Sequence, residues 1–541
     1  MRVKEFIYKH PDLFTILGLS VIFYFLFFHN IWAYALMDVD ESRYVVMSKE
    51  MFNTKDFLTL YLNGEYFFEK PPLYFWIECL SFGLFGKITE FTARFPVAML
   101  GTIACFVTYF LGKKVVSRNY GVISSLILAT SVEYIILAKF AILDIVLTAF
   151  VWFSLASGIM TFFCKENNKK YFWWLFYIFS GLAVMAKGIP GFVIPFGSMF
   201  FISITAKKFK EIFRPQYFII GVILFLLIVT PWHYIMLKMH NPLFFNEYIM
   251  KHHIARFMGK DTLNRQQPFW FFFVTLLWGF MPWAVSCIAV LLRKLTKKDW
   301  NFKELTQTRK FLLYNGIIAI FTILFFSSSD TKLITYILPV YPSLSLLAGY
   351  IWWNYTERGE YSRIINKTVY VVGAIFILAS FCALFTQLYL PEDLNWDILP
   401  LKPLFIGLFL FTGIFSILFA KREKFVRVFF TYVIFIICLS AFGTEKIFKF
   451  DYKFGQNDLI NFAQYLKGSD KEILCYKFKQ KYSIIYYSDK HMINVEELSS
   501  NDLHKNTVII LKKKNYDDIK QYDYYPVLVG KKYVLLEKQE K

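Results

Sequence analysis

Charge is scarce in this sequence, and acid is scarcer than base. Only 18% of the 541 residues are charged and 57% are hydrophobic, whereas about a quarter of a soluble domain is charged. The apolar runs also lack the polar stripe that a surface helix needs, which excludes a soluble helical protein. Cysteine is sparse too. The seven cysteines (Cys79, Cys105, Cys164, Cys287, Cys382, Cys438 and Cys475) mostly lie in or beside apolar segments, and none forms a CxxC pair. That excludes a disulfide framework and a thiolate metal centre. There is no Walker loop and no GxGxxG run, so no nucleotide cofactor is expected. Forty acids against sixty Lys and Arg leave a net charge of +20. A soluble chain with this balance would bind nucleic acid, but here the basic residues sit in short loops between apolar runs, so no nucleic-acid partner is expected.

What is present is a series of membrane-length segments. Runs near the ~20 residues that cross a bilayer occur at 12–31, 92–111, 120–137, 145–163, 172–186, 189–206, 217–236, 269–291, 311–327, 333–353, 368–390, 402–420 and 425–443. The first has no small-residue cleavage signal and is expected to be retained as a span. The pair 172–186 and 189–206 is split by Lys187-Gly188-Ile189-Pro190-Gly191 and looks re-entrant. Basic residues cluster in alternate loops: Arg2, Lys4 and Lys9; Lys113, Lys114 and Arg118; Lys165 to Lys170; Lys207 to Arg214; 293–310; Arg358 to Lys367; and Lys421 to Arg427. A cytoplasmic N-terminus places all of them on one side. The expected fold is therefore a polytopic α-helical membrane protein with about thirteen transmembrane helices. Residues 1–443 form the membrane domain, and 444–541 lie on the outer, periplasmic face.

The 444–541 tail changes composition, being rich in Lys, Asp, Tyr and Asn. Its apolar runs (Glu472–Tyr476, Val508–Leu511, Tyr533–Leu536) alternate with helix-like stretches (Asn457–Leu466, Asp517–Tyr522), which predicts a small α/β domain. Two long loops, 32–91 and 237–268, face the same side. Long ordered loops are usually functional, and Tyr44–Phe57 has the mixed character of an interfacial helix.

The charged residues concentrate in these loops. Asp38-Val39-Asp40-Glu41-Ser42-Arg43-Tyr44 directly follows the first span. Asp40 and Glu41 read either as helix-capping acids or as a general base or electrostatic group. Arg43 is suited to hold a carboxylate or a phosphate. Glu69-Lys70-Pro71-Pro72 sets Lys70, a point charge for a lipid phosphate, beside a rigid turn. His252 and His253 precede Arg256, and with Glu69 they could make a zinc site completed by water; a histidine pair is also an ordinary structural feature. Asp144, Lys139, Lys187, Lys332 and Tyr336 lie at the outer ends of other spans. Together these positions outline one outward cavity whose cations suit a phosphate or pyrophosphate.

The set resembles the bacterial lipid-linked-sugar glycosyltransferases of the GT-C class, in particular the undecaprenyl-phosphate aminoarabinose transferase family that modifies lipid A. Protein O-mannosyltransferases are more distant. The resemblance rests on Asp40-Glu41-x-Arg43-Tyr44, Glu69-Lys70-Pro71-Pro72, Leu143-Asp144, Ala186-Lys187-Gly188, His252-His253-x-x-Arg256-Phe257 and Lys332-Leu333-x-x-Tyr336-x-Leu338-Pro339, in order across residues 30–345. It implies a GT-C fold and inverting transfer of a sugar such as 4-amino-4-deoxy-L-arabinose from undecaprenyl phosphate to a lipid A phosphate, by a monomer at the outer face of the inner membrane. Asp40 and Asp144 are the implied catalytic carboxylates. Arg43, Lys70, Lys187, Arg256, Lys332 and Tyr336 would bind the carrier phosphate and donor. Glu69 with His252 or His253 would hold zinc. Two departures leave the sugar open: Met185-Ala186-Lys187-Gly188 replaces the family's Leu-Thr-Lys-Gly run, and Asp330-Thr331 is less basic than the family's loop. The alternatives are a protein O-glycosyltransferase and a non-enzymatic polyprenyl-lipid flippase.

Overall fold

The computed structural model describes residues 10–255, 266–297, 306–385, 402–444, 456–478, 481–498 and 506–538. Helix α1 (Pro11–Phe23) starts on proline, whose missing N–H costs nothing at the first helical position, and runs into a π-type turn at Tyr24–Phe28. In the first loop, α2 (Asp40–Thr54), a two-stranded hairpin β1–β2 (Tyr61–Leu62, Glu65–Tyr66) and α3 (Leu73–Phe85) follow. Then come α4 (Glu90–Val115), α5 (Arg118–Ala129), α6 (Val132–Ala138), α7 (Leu143–Met160), α8 (Lys169–Lys187), α9 (Pro190–Thr205) and α10 (Pro215–His240). A π-type stretch at Phe245–Ala255 follows α10. The chain continues through α11 (Phe271–Gly279), α12 (Trp283–Lys297), α13 (Gln307–Ser327), a 3-10 turn at Ile334–Val340, α14 (Tyr341–Arg358), α15 (Ser362–Leu384), α16 (Lys402–Lys421) and α17 (Phe425–Cys438).

Among the described residues, nine helices are long and apolar enough to cross a bilayer. The number is ten when α5 and α6, bent by 67°, count as one span. The described parts of all thirteen expected segments fall on helical chain (386–390 of the 368–390 segment lie outside the described residues), but three segments do not meet this test. Segment 172–186 lies in the lysine-flanked, Trp- and Tyr-rich α8, and segment 189–206 in the shorter α9. Segment 269–291 is divided between α11 and α12, with the break around Phe280–Pro282. Apolar composition alone does not register such a break. Close helix contacts use small residues, as packing in lipid requires: a Cβ on Gly121 would stand 2.5 Å from the Tyr109 carbonyl oxygen, so only glycine lets α5 lie against α4.

The tail contains α18 (Gln456–Leu466), β3 (Glu472–Tyr476), α19 (Ser483–Ser488), β4 (Met492–Val495), β5 (Thr507–Lys512), β6 (Tyr524–Val529) and β7 (Tyr533–Lys538). The strands form one sheet in the order β4-β3-β5-β7-β6, parallel from β4 to β5 and antiparallel beyond. The sequence reading identifies β3, β5 and β7 but not the more exposed β4 and β6. This domain sits on the first loop: Leu36, Val45, Val46 and Phe82 share an apolar cluster with Leu459, Phe462, Ile484 and Leu535.

Candidate active site

The first loop is shaped by a buried ion pair. Arg94, fully buried in the first turns of α4, directs Nε to Glu41 Oε1 at 2.6 Å and Nη2 to Glu41 Oε2 at 2.8 Å. Its remaining donors reach the carbonyl oxygens of Ile31, Tyr34 and Ala35 at 2.7, 2.8 and 2.9 Å. All five guanidinium N–H groups are thus used. Glu41 in turn accepts the amides of Met37 and Ala141 at 2.7 and 2.8 Å. Glu41 is therefore a structural anchor, not a group open to substrate.

That anchor presents Asp40 and Arg43 at the start of α2. Asp40 is 62% exposed and ion-paired to Arg43 Nη2 at 2.8 Å. Arg43 is mostly buried, with its guanidinium over the Tyr44 and Phe67 rings. Burial opposes its charge, yet Tyr44, Asp40 and Glu69 together hold its pKa above the usual arginine value. Its Nε–H is buried and has no acceptor among the described residues. A cation with a spare, desolvated donor is suited to an incoming anion. A second buried carboxyl fixes α2 from behind: Glu78 on α3 takes hydrogen bonds from Ser48 Oγ and from Tyr74 Oη (2.7 Å).

The other half of the site comes from α7 and α8. Asp144, in the first turn of α7, is buried and meets Lys187 Nζ at 2.5 Å. The Lys187 ammonium lies 4.8 Å from the centroid of Tyr336. Lys187 ends α8 because Gly188 (φ +81°) turns the chain and Pro190 starts α9; a Cβ on Gly191 would stand 2.3 Å from the Ala183 carbonyl carbon. The two halves meet at Tyr44, which lies within electrostatic range of Asp40, Glu69 and Asp144. Glu133, buried on α6, accepts from Tyr341 Oη at 2.5 Å and lies near Asp144.

The structure thus brings together Asp40, Arg43, Glu69, Asp144, Lys187 and Tyr336. Lys70 is half-buried next to Glu69 in the turn before α3. Two other cations are committed elsewhere. Lys332 is bonded to the carbonyl oxygens of Gln267 (2.8 Å) and Ser329 (2.5 Å), fastening the 266–268 segment to its own loop. Lys139 is held by the His29 and Ser440 carbonyls and Thr444 Oγ1 at 3.1–3.3 Å. Arg256 and the side chain of His253 lie outside the described residues. His252 Nε2 stands 3.9 Å from Glu69 Oε1 and 3.6 Å from Glu247 Oε2. Among the described residues no group of three His, Cys, Asp or Glu side chains is arranged to hold a metal. Of the expected zinc ligands, Glu69 and His252 are described and face each other, and both are of a type that holds zinc. Arg94, Glu133 and Tyr341 are absent from the sequence reading. The first two left a signal: each is an ionisable residue inside an apolar segment, which is costly unless it has a purpose.

Known proteins resemble this chain in sequence and in fold. The family described as dolichyl-phosphate-mannose-protein mannosyltransferase matches residues 12–245. An uncharacterized Aquifex aeolicus protein is 28% identical over 356 residues, covering 66% of this chain and 66% of its own. An undecaprenyl phosphate-alpha-4-amino-4-deoxy-L-arabinose arabinosyl transferase of Edwardsiella ictaluri is 28% identical over 370 residues, covering 66% of this chain and 64% of its own. The matched stretch is thus just under two thirds of these relatives' length. The crystal structure of ArnT from Cupriavidus metallidurans bound to undecaprenyl phosphate superposes with a TM-score of 0.77 at 20% identity, covering 98% of both chains. The chain has the ArnT-like GT-C fold. That fold accounts for the many spans and the small sheet domain together.

Proposed function

We propose that this GT-C chain transfers a sugar from undecaprenyl phosphate to a lipid A phosphate at the periplasmic face of the inner membrane. The observation that carries the reading is the convergence of Asp40, Arg43, Glu69, Asp144 and Lys187, from sequence-distant segments, on the end of the bundle that bears the C-terminal domain. The relatives' names point to 4-amino-4-deoxy-L-arabinose as the sugar.

In this mechanism an acceptor oxygen attacks C1 of the donor sugar and undecaprenyl phosphate leaves. Arg43 has the free donor to meet the departing phosphate, and Lys70 and Arg256 add charge where low dielectric makes it effective. Lys187, held by Asp144, completes the cationic side. Asp40 faces the acceptor. A phosphate acceptor is already largely ionised near neutrality, since its second pKa is about 6, and Asp40 then stabilises positive charge at C1. With a hydroxyl acceptor Asp40 has to remove the proton. Zinc on Glu69 and His252 remains part of the proposal, but no step passes through it. A second reading, transfer to a protein hydroxyl, is favoured by the mannosyltransferase match over residues 12–245.

Mass spectrometry of lipid A from cells with and without the gene tests the acceptor. The expected result is a gene-dependent mass increment of one aminoarabinose on a lipid A phosphate. An unchanged lipid A profile, with glycosylated envelope proteins instead, would favour the protein acceptor.

A further inference from the structure

Asp38 lies two residues before the helix that carries Asp40 and Arg43, and both of its carboxylate oxygens are engaged by the C-terminal domain. Oδ1 accepts from the Ser483 amide at 2.9 Å and from Ser42 Oγ at 2.5 Å, and Oδ2 accepts from Ser483 Oγ at 2.5 Å. The Asp38 amide donates to Gln456 Oε1 at 3.2 Å, and Gln456 Nε2 donates to the Leu36 carbonyl. One carboxylate therefore holds the first turn of α2 and the start of α19 at once. Other ties flank it. Lys49, on α2, reaches the Tyr486 carbonyl at 3.1 Å and pairs with Asp489. Tyr487 Oη donates to Glu90 at 2.7 Å and accepts the Leu36 amide at 3.0 Å. Asn63 exchanges two hydrogen bonds with the Met492 backbone at 2.8 and 3.0 Å. Tyr482, next in sequence to Ser483 and only 8% exposed, lies within electrostatic range of Arg43, Glu69 and Asp38. Apolar cover would be enough for a domain that only capped the bundle. A carboxylate that accepts three hydrogen bonds beside the candidate site does more: it ties the first turn of α2 to the domain.

We propose that Asp38 and Ser483 form a latch through which the C-terminal domain positions Asp40 and Arg43, with Tyr482 closing the site over Arg43 and Glu69. The kinetic consequence rests on the sugar-transfer reading; the structural one does not. Asp38 and Ser483 are positioning residues. They touch no reacting atom and act through the placement of α2.

The test uses the full-length protein in lipid nanodiscs, comparing wild type with Asp38→Ala, Ser483→Ala, the double variant and Ser483→Thr. Hydrogen exchange is read over residues 36–48, and kcat and KM for the lipid-linked sugar are measured alongside. Both alanine variants should speed exchange there and lower kcat about tenfold or more, because small misplacements near reacting groups are costly, with KM changed less. The double variant should be no worse than either single one, as expected for partners in one contact. Ser483→Thr keeps both donors and should restore wild-type behaviour. Unchanged exchange in Asp38→Ala would show that there is no latch. Faster exchange with kcat within about twofold of wild type would show that the domain does not position the site. If wild type transfers no sugar, the transferase reading fails, and undecaprenyl phosphate alone then decides the latch: protection of α2 by this lipid should be lost in Asp38→Ala, and its retention would overturn the proposal.

Discussion

Within the cluster Asp38-Val39-Asp40-Glu41, the three acids divide three tasks according to burial. Asp40 is exposed and paired with Arg43, Asp38 is engaged by the C-terminal domain, and Glu41 is enclosed by Arg94. The Glu41–Arg94 pair is strongest as a unit, because removing one partner leaves a desolvated charge behind. Arg94→Met should therefore cost about 3–5 kcal/mol. Arg94→Lys, with three donors in place of five, should fall between Arg94→Met and wild type. Thermal unfolding in detergent measures both, and a wild-type melting temperature for Arg94→Met would contradict the assignment. The sequence brought these acids to notice but not their division. Charge pattern shows that a cluster exists, whereas the partner of each oxygen depends on chain segments brought in from far away: Ser483 is 445 residues from Asp38.

At the scale of elements, the site depends on helix ends. Asp144 stands in the first turn of α7, where a carboxylate is favoured by the helix dipole, and Lys187 closes α8. The α8–α9 hairpin aligns Lys187 through a backbone approach that only glycine permits. Gly191→Ala forces a Cβ into the Ala183–Val184 peptide and should destabilise the protein by roughly 1–3 kcal/mol, the usual range for overpacking. It should also weaken sugar transfer by moving Lys187. Thermal unfolding together with the transfer rate checks this, and unchanged values for both would contradict the close approach. The Gly-Ile-Pro-Gly break was legible because glycine and proline punctuate local structure. The division of 269–291 into two helices was missed although Gly279 and Pro282 bracket the break, because Phe280 and Met281 between them keep the run apolar. Lys332 illustrates the same gap at a loop: its position suggested a phosphate ligand, but the strand-like bridge between Gln266 and Thr331 places carbonyl oxygens around its ammonium.

For the whole molecule, the GT-C architecture combines a lipid-embedded bundle with a water-exposed sheet domain, and the candidate site lies where the two meet. The overall class was legible because bilayer-length apolar runs and a compositional shift are properties of whole segments. The domain's part in the site was not, since the residues that join it to the first loop are common surface types (Ser483, Gln456, Asn63, Tyr487). Their role appears only once α19 and α18 are placed over α2. This arrangement leads to the central claim that Asp40 is the reactive carboxylate of a sugar transferase fed by a polyprenyl carrier. The most direct test incubates purified protein with undecaprenyl-phosphate 4-amino-4-deoxy-L-arabinose and lipid A in nanodiscs and follows glycosylated lipid A by mass spectrometry, for wild type and Asp40→Asn. Glycosylated product from wild type, reduced at least about a hundredfold in Asp40→Asn as general acid–base and electrostatic roles require, is the predicted result. No product from wild type with either lipid A or a peptide acceptor, or an Asp40→Asn rate equal to that of wild type, would contradict it.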